Sequence, residues 1–236
     1  MNILYEDNHL LIVSKQAGEI VQGDKSGDRT LADDAKAYIK AAYHKPGDVF
    51  LGLPHRLDRP TSGVVVLCRT SKALTRMAQM FRESKVEKTY HAIVQKITPE
   101  MRGNLGIKPG EDLNTPHRLE HFLIRNEQRN KSYASCTARQ GSKHAILEWR
   151  EIDSSDRYSL LEVKLLTGRH HQIRCQLSAI GLPIKGDLKY GAPRSNIDGS
   201  ICLHARSVSF THPVAQKPVC VVAPYPALPI WQIFSS

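Results

Sequence analysis

Short apolar runs bounded by polar residues, glycine or proline recur along this chain, and they restrict its fold more than any other feature. Most are β-branched or alternate with polar residues, which is typical of strands. The predicted strands cover residues 10–13, 64–67, 88–95, 119–124, 132–138, 145–149, 158–166, 201–210 and 219–222. Helical spacing of apolar residues predicts helices only over 30–43, 71–84 and 172–180. This pattern predicts an α+β fold, with a mixed, mostly antiparallel β-sheet core and flanking helices and loops.

The sequence shows no feature that marks a boundary between domains. The 236 residues contain no internal repeat, low-complexity segment or pronounced linker, so we predict a single domain over 1–236. The segment 99–116 is rich in glycine and proline, and we predict an irregular connection there. Methionine and phenylalanine lie on one stripe of the helix predicted over 71–84, and we assign that stripe to core packing.

Charge and cysteine content narrow the class of protein. The net charge of +10 and the pI near 9.4 favour a polyanionic partner such as nucleic acid. Five widely spaced cysteines, without a Cys-x-x-Cys pair, fit neither a disulfide framework nor a zinc ribbon. No signal peptide or membrane-length apolar run is visible. We therefore predict a cytoplasmic protein with reduced thiols and no membrane partner.

The run 55–63, His-Arg-Leu-Asp-Arg-Pro-Thr-Ser-Gly, is the strongest candidate for a reactive site. Its one acid, Asp58, lies between Arg56 and Arg59 and precedes a proline-glycine turn and a buried-type strand. Neighbouring positive charge keeps a carboxylate ionised, and an ionised acid on a turn is suited to nucleophilic or electrostatic catalysis. Taken alone, the tripeptide Arg-Leu-Asp is better explained by a surface ion pair that caps a turn, and the full nine-residue run favours the reactive site.

A second run, Thr-Gly-Arg-His-His-Gln-Ile-Arg over 167–174, leads from a predicted strand into a helix. Arg174 near the helix start is suited to grip a carboxylate through a forked pair of hydrogen bonds. The tandem His170-His171 suggests metal, but adjacent helical residues point in different directions and no glutamate has zinc-protease spacing. We predict no metal site.

These runs and others, in this order, resemble the RluA-type RNA pseudouridine synthases. The matching motifs are 7–18 around His9 and Lys15, 55–63, Lys88-Thr89-Tyr90, 168–174, 181–191, Leu203-His204-Ala205, and Phe210-x-His212-Pro213. Together they span about residues 5 to 215. Gln16 and His170 depart from the usual proline and threonine of the family, which affects local loop shape. Many relatives begin with an S4-type RNA-binding domain, whereas this chain starts directly with the catalytic domain, so we predict that the S4 module is absent.

The resemblance implies the pseudouridine synthase catalytic fold and the isomerisation of uridine to pseudouridine in RNA. Asp58 then is the essential aspartate that acts at or near C1′ of the ribose. Whether it forms an ester or assists a glycal-type elimination is left open. Arg174 is its ion-pair partner, and Tyr90 stacks on the flipped base. Without the resemblance, a tyrosine buried in a strand is the simpler interpretation of Tyr90.

The family match also implies substrate-binding positions. Arg56 fills the space left by the displaced base, with a structural ion pair as the alternative. Leu203 lines the base pocket. His55, Thr61, Arg169 and Gln172 belong to the matching motifs and are candidate substrate contacts. Seven cationic side chains are candidate phosphate contacts, which should make RNA binding weaken with salt: Lys85, Lys88, Arg125, Arg129, Lys131, Lys185 and Lys189.

We expect no cofactor, because the isomerisation neither adds nor removes electrons or groups. The partner is ribosomal or transfer RNA, no obligatory protein partner is evident, and we predict a monomer. Two other classes fit parts of the pattern. An RNA-binding protein without catalysis has no need of Asp58, Tyr90 and Arg174 together. A glycoside hydrolase usually needs two cooperating carboxylates, and no second acid accompanies Asp58 in the motifs.

Overall fold

The computed structural model describes residues 1–23, 27–108 and 110–234, and the described chain forms two compact units. The first unit contains Met1–Lys88 and Ala205–Pro226. The second contains Thr89–His204 and the chain from Ala227 onward. The prediction of a single domain over 1–236 stays a prediction.

The first unit is a sheet covered by two helices. Its elements are β1 (Asn2–Glu6), β2 (Leu10–Lys15), α1 (Leu31–Ala42), β3 (Ser62–Cys68), α2 (Ser71–Arg82), most of β9 (Leu203–Thr211), and β10 (Pro218–Val222). The strand order is β1-β2-β3-β9, and β10 pairs with β9. β2 is antiparallel to both β1 and β3, and β10 is antiparallel to β9.

Burial on both faces explains the continuous apolar runs of β2 and β3. One face packs against Leu31, Ala35 and Ile39 of α1. The other packs against Ala73 and Met77 of α2, which confirms that the α2 stripe belongs to the core. The start of α1 is fixed by a capping box, in which the Thr30 hydroxyl oxygen accepts from the Asp33 N–H at 3.1 Å.

The second unit is built on antiparallel strands. Its elements are β4 (Glu87–Gln95), which begins in the first unit, α3 (Pro99–Asn104), β5 (His117–Asn126), β6 (Lys131–Ser135), β7 (Lys143–Ser154), β8 (Tyr158–Leu165), α4 (Gln172–Ala179), a 3-10 turn (Leu188–Tyr190) and α5 (Pro229–Gln232). The strand order is β4-β8-β7-β5-β6, with each pair antiparallel. The predicted α+β class with a mostly antiparallel sheet is confirmed.

Four short elements were not predicted, namely β1, α3, α5 and the 3-10 turn over Leu188–Tyr190. β1 is an edge strand that is only partly buried, so its apolar pattern is weak. α3 lies inside the segment predicted as irregular, where Pro99 starts the helix and Gly103 lowers its helix propensity; Pro109 of the same segment lies outside the described residues. α5 has only four residues, too few for a helical period to be visible. No helix among the described residues has the length and apolar character needed to cross a bilayer.

Candidate active site

The loop that carries Asp58 lies on a buried lysine. Lys15, at the end of β2, is 0% exposed. Its ammonium donates to the main-chain carbonyls of Asp58 at 3.3 Å, Arg59 at 3.0 Å and Thr61 at 2.7 Å. A fourth bond goes to the carbonyl of its neighbour Gln16 at 3.0 Å. The ammonium therefore fixes the backbone of the loop at residues 58, 59 and 61.

Sequence reasoning assigned no role to Lys15. Burial lowers the pKa of Lys15 to about 8, while the negative charges of Glu19 and Asp58 act in the opposite direction. The carboxylate of Asp58 is thus close enough to interact with this ammonium. The sequence signals are the place of Lys15 in the family motif over 7–18 and its position after the apolar run 10–13 and Ser14. Neither indicates a buried ammonium, because lysine is almost never fully buried.

We expect Lys15→Met to destabilise the protein by about 2–4 kcal/mol, because it leaves three loop carbonyls buried without their shared donor. The measurement is the free energy of unfolding in urea. Lys85→Met is the matched control, since Lys85 is exposed and its ammonium pairs with Glu83 at 2.7 Å. Equal effects of the two substitutions on stability would contradict a structural role for Lys15.

Turns and a glycine complete the path of this loop. The Thr61 N–H donates to the Asp58 carbonyl at 3.0 Å, and the Gly18 N–H donates to the Arg59 carbonyl at 2.8 Å. Gly63 has φ +115°, and a Cβ there would lie 2.3 Å from the Ala205 carbonyl oxygen. Only glycine fits this close approach to β9, which fixes the point where the loop enters β3.

His55 and Arg56 of the loop differ in how firmly their side chains are held. The contacts of His55 are with the protein interior: its Nε2 accepts from the Val66 N–H at 2.9 Å, and its ring stacks on Phe81 with 4.6 Å between centroids. Burial, with a contribution from the Lys88 charge, lowers the pKa of His55 to about 3, so the imidazole is neutral. Arg56 is exposed and reaches Gln22 Oε1 only at 3.5 Å, at the limit of a hydrogen bond.

Asp58 and Thr61 differ in exposure. The Asp58 residue is half-buried, whereas Thr61 is 2% exposed. The Thr61 hydroxyl has no hydrogen-bond partner among the described residues. A buried hydroxyl without a partner is uncommon, which marks Thr61 as a position where a further group is needed.

In the second unit, Arg174 of α4 forms a buried forked ion pair that the sequence did not predict. Its Nε donates to Asp187 Oδ2 at 2.6 Å and its Nη2 donates to Asp187 Oδ1 at 2.9 Å. Arg174 is 5% exposed and Asp187 is 1% exposed. A forked pair of hydrogen bonds from Arg174 to a carboxylate was predicted, but Asp187 was not predicted as the acceptor, although it is part of the Gly-Asp-x-x-Tyr-Gly motif.

Tyr190 joins several groups around Arg174. Its ring centroid lies 5.1 Å from the Arg174 guanidinium carbon, and its hydroxyl oxygen accepts from the Ser132 N–H at 2.8 Å. The same hydroxyl is 3.0 Å from His171 Nδ1. Burial raises the pKa of Tyr190 to about 12, so it stays a neutral phenol. His171 begins α4 with φ 51°, and its ring stacks on His170 at 3.8 Å.

Gln172 and Arg169 shape the turn before α4. The Gln172 side-chain oxygen accepts from the Thr167 hydroxyl at 2.8 Å and from the Arg169 N–H at 2.9 Å, while its amide donates to the Ile146 carbonyl at 3.0 Å. Gln172 is buried, and these bonds occupy most of its amide. Arg169 is exposed and donates from Nε to the His144 carbonyl at 2.8 Å. Substrate contact by either residue stays a prediction.

Tyr90 and Leu203 lie on strands of the second unit. Tyr90 is half-buried on β4, where it pairs in register with Val163 of β8. Leu203 is 4% exposed at the start of β9, and the following His204 packs edge-on against Trp231 at 5.7 Å. Asp58 belongs to the first unit, and Tyr90, Arg174 and Leu203 belong to the second. The predicted contact between Asp58 and Arg174 stays a prediction.

The comparisons with known proteins decide the family. The family model described as RNA pseudouridylate synthase matches residues 9–179. The chain belongs to this family. The matched region includes Asp58, Tyr90 and Arg174, and the predicted family resemblance is confirmed.

Individual relatives agree with this assignment. The chain is 30% identical over 231 residues to an uncharacterised RNA pseudouridine synthase of Synechocystis, with 96% of this chain and 66% of the relative covered. It is 29% identical over 230 residues to ribosomal large subunit pseudouridine synthase C of Buchnera aphidicola, with 94% and 66% covered. The chain thus spans just under two thirds of the length of these two relatives.

One solved structure shows the same fold. Human RNA pseudouridylate synthase domain containing 4 superposes with a TM-score of 0.74 over 96% of this chain and 89% of that chain, at 22% identity. The predicted pseudouridine synthase catalytic fold is confirmed.

Proposed function

We propose that this protein isomerises uridine to pseudouridine in RNA. The observation that carries the proposal is the family match across residues 9–179, because the matched region contains the acid, the tyrosine and the arginine that the reaction needs. The net charge of +10 is suited to a polyanionic substrate. In the reaction the N1–C1′ bond breaks, the base turns, C5 bonds to C1′ and loses a proton, and N1 gains a proton. The product is therefore an isomer of the substrate, and no cofactor is required.

We assign the reacting acid to Asp58. Its backbone is held by Lys15 and by the Thr61 N–H, which leaves the carboxylate on a loop of fixed path. Such a carboxylate can attack C1′ or stabilise positive charge that develops on the ribose. A loop backbone that is fixed before the substrate arrives loses little conformational entropy on reaction, which favours catalysis.

Arg174 and Tyr90 complete the proposed centre. Asp187 fixes the guanidinium of Arg174 through two short bonds, and we assign to this guanidinium the role of ion-pair partner of Asp58. Tyr90 provides an aromatic ring for stacking on the extruded base, and Leu203 provides an apolar wall.

Of the remaining positions, Arg56 and Thr61 are assigned to substrate contact. Arg56 is exposed and only weakly held by Gln22, so its guanidinium is available to enter the space of the extruded base. The hydroxyl of Thr61, which has no partner in the part of the chain that the structure describes, is suited to a bond with substrate. His55, Arg169 and Gln172 then act mainly by holding the two motif loops in shape.

The substrate is ribosomal or transfer RNA, and we place the protein in the cytoplasm as a monomer. Among the described residues all five cysteines are free thiols, which fits a reducing compartment. The relative from Buchnera aphidicola is named for the large ribosomal subunit, which makes ribosomal RNA the first substrate to test.

The test has two parts. The purified protein, incubated without cofactor with total RNA that contains [5-³H]uridine, should release tritium as C5 bonds to C1′. Mapping of pseudouridine across the transcriptome, with and without the gene, should then identify the nucleotide. Absence of tritium release from every RNA fraction, together with unchanged maps, would rule out the activity.

A further inference from the structure

The tip of the β5–β6 hairpin is fixed by residues distant in sequence. Within the tip, the Arg129 N–H donates to the Asn126 side-chain oxygen at 2.9 Å, and Asn130 adopts φ 44°. Lys189 Nζ donates to the Asn130 carbonyl at 3.1 Å, and His170 Nε2 lies 3.0 Å from Asn130 Oδ1. Three segments of the chain therefore meet at this tip. We call the group of Arg129, Asn130, Lys131, His170 and Lys189 the hairpin patch.

The hairpin patch is cationic and accessible. Arg129 and Lys189 are exposed, and Lys131 is half-buried. Arg125 at the end of β5 adds a further exposed cation, whereas Glu127 is the one acid between residues 125 and 131. Such a surface attracts phosphate groups, and each contact with a phosphate releases a counterion.

Three aromatic rings near the patch differ in how open they are. The ring of His170 is stacked on His171, and Tyr190 is only 4% exposed. Tyr133 is 42% exposed, and its ring centroid lies 5.6 Å from the Lys131 ammonium. Binding of single strands depends on several open aromatic faces on which successive bases stack. The patch offers more charge and hydrogen-bond donors than open ring surface, which suits the sugar-phosphate backbone of a helix.

The hairpin patch is also linked to Arg174 of the proposed centre through contacts with Tyr190. Lys131 and Arg174 both lie over the ring of Tyr190, each at 5.1 Å from its centroid. Ser132 donates from its backbone to Tyr190 and from its hydroxyl to the His170 carbonyl at 2.8 Å. An RNA backbone bound at the patch is therefore held at a fixed distance from Arg174.

We infer that the hairpin patch is a docking surface for the backbone of an RNA helix next to the target uridine, an inference that rests on the proposed function. The surface binds by charge and does not read bases. It makes the preferred substrate a structured RNA whose helical part contacts the patch.

The test uses binding, so that turnover is not needed. The double variant Arg129→Glu with Lys189→Glu is compared with the charge-matched double variant Lys36→Glu with Lys40→Glu on the exposed side of α1. The probes are a fluorescein-labelled RNA hairpin and a labelled oligouridine of equal length, followed by anisotropy over a range of salt. For the patch variant we expect Kd for the hairpin to rise about tenfold and the magnitude of the salt slope to fall by about 2, with little change for oligouridine.

Two results would overturn the inference. One is a patch variant that binds the RNA hairpin as the α1 variant does. The other is an equal loss for oligouridine, which would mean that the surface holds single strands. Arg129→Gln with Lys189→Gln, checked by thermal melting, replaces the charge reversal if that variant does not fold. A failure of the proposed function would be seen separately. The wild-type protein would then convert no uridine in RNA, while Kd could still be compared between the two double variants.

Discussion

Asp58→Asn is expected to lower the rate of uridine conversion by at least about 10³-fold, because asparagine cannot attack C1′ or carry the negative charge that stabilises a ribosyl cation. The fold should remain, since the contacts that hold this loop come from main-chain carbonyls, including that of Asp58 itself. Binding of RNA should also remain, because removal of a negative charge does not oppose a polyanion. The readout is tritium release from RNA with [5-³H]uridine, alongside Kd and the melting temperature.

The matched control is Asp28→Asn, which removes the same charge from an exposed acid that pairs with Arg59 of the same loop at 3.3 Å. We expect this variant to keep near wild-type conversion. If Asp58→Asn kept full activity, the assignment of the reacting acid would be wrong. If both variants lost activity equally, net charge around the loop would be the cause, not the chemistry of position 58.

Arg174→Ala is expected to destabilise the protein by about 3–5 kcal/mol, because it leaves the buried carboxylate of Asp187 without its partner. For a chain of this length that corresponds to a fall in melting temperature of roughly 6–20 °C. The matched control is Arg150→Ala, which breaks the partly exposed pair of Arg150 Nε with Glu162 at 2.9 Å. That loss should be below about 1 kcal/mol.

A second variant separates stability from catalysis. Arg174→Met combined with Asp187→Leu removes both charges and fills the space with apolar side chains, which often restores stability. We expect this double variant to recover most of the lost free energy of unfolding but no conversion of uridine. Recovery of both would show that Arg174 is only structural, and a loss for Arg174→Ala no larger than for Arg150→Ala would show that the fork contributes little.

Much of the architecture could be predicted from the sequence because its cause is local. The runs 10–13 and 64–67 are apolar on both faces, and in the structure α1 and α2 cover both faces of β2 and β3. Thr30 and Asp33 lie three residues apart, as a capping box requires, and they form one. The family motifs could also be located from the sequence, because each motif is defined by the order of its residues.

Pairing partners were harder to predict, because they depend on tertiary contacts and not on spacing. Nothing near Arg174 in sequence points to Asp187, thirteen residues later, as the acceptor of both its bonds. The predicted strand over 10–13 stopped before Lys15, since a buried lysine is rare, yet Lys15 is fully enclosed. Gln172 is a predicted substrate contact because the family motif contains it, and that contact stays a prediction. Its hydrogen bonds to the turn before α4 could not be predicted from the motif.

The enclosed ammonium of Lys15 has an evolutionary consequence. Its hydrogen bonds to the loop go to carbonyl oxygens, which every residue type possesses. The bond to the carbonyl of residue 59 therefore does not depend on the side chain at that position. Position 59 can change in evolution while Lys15 keeps its hold on the loop backbone.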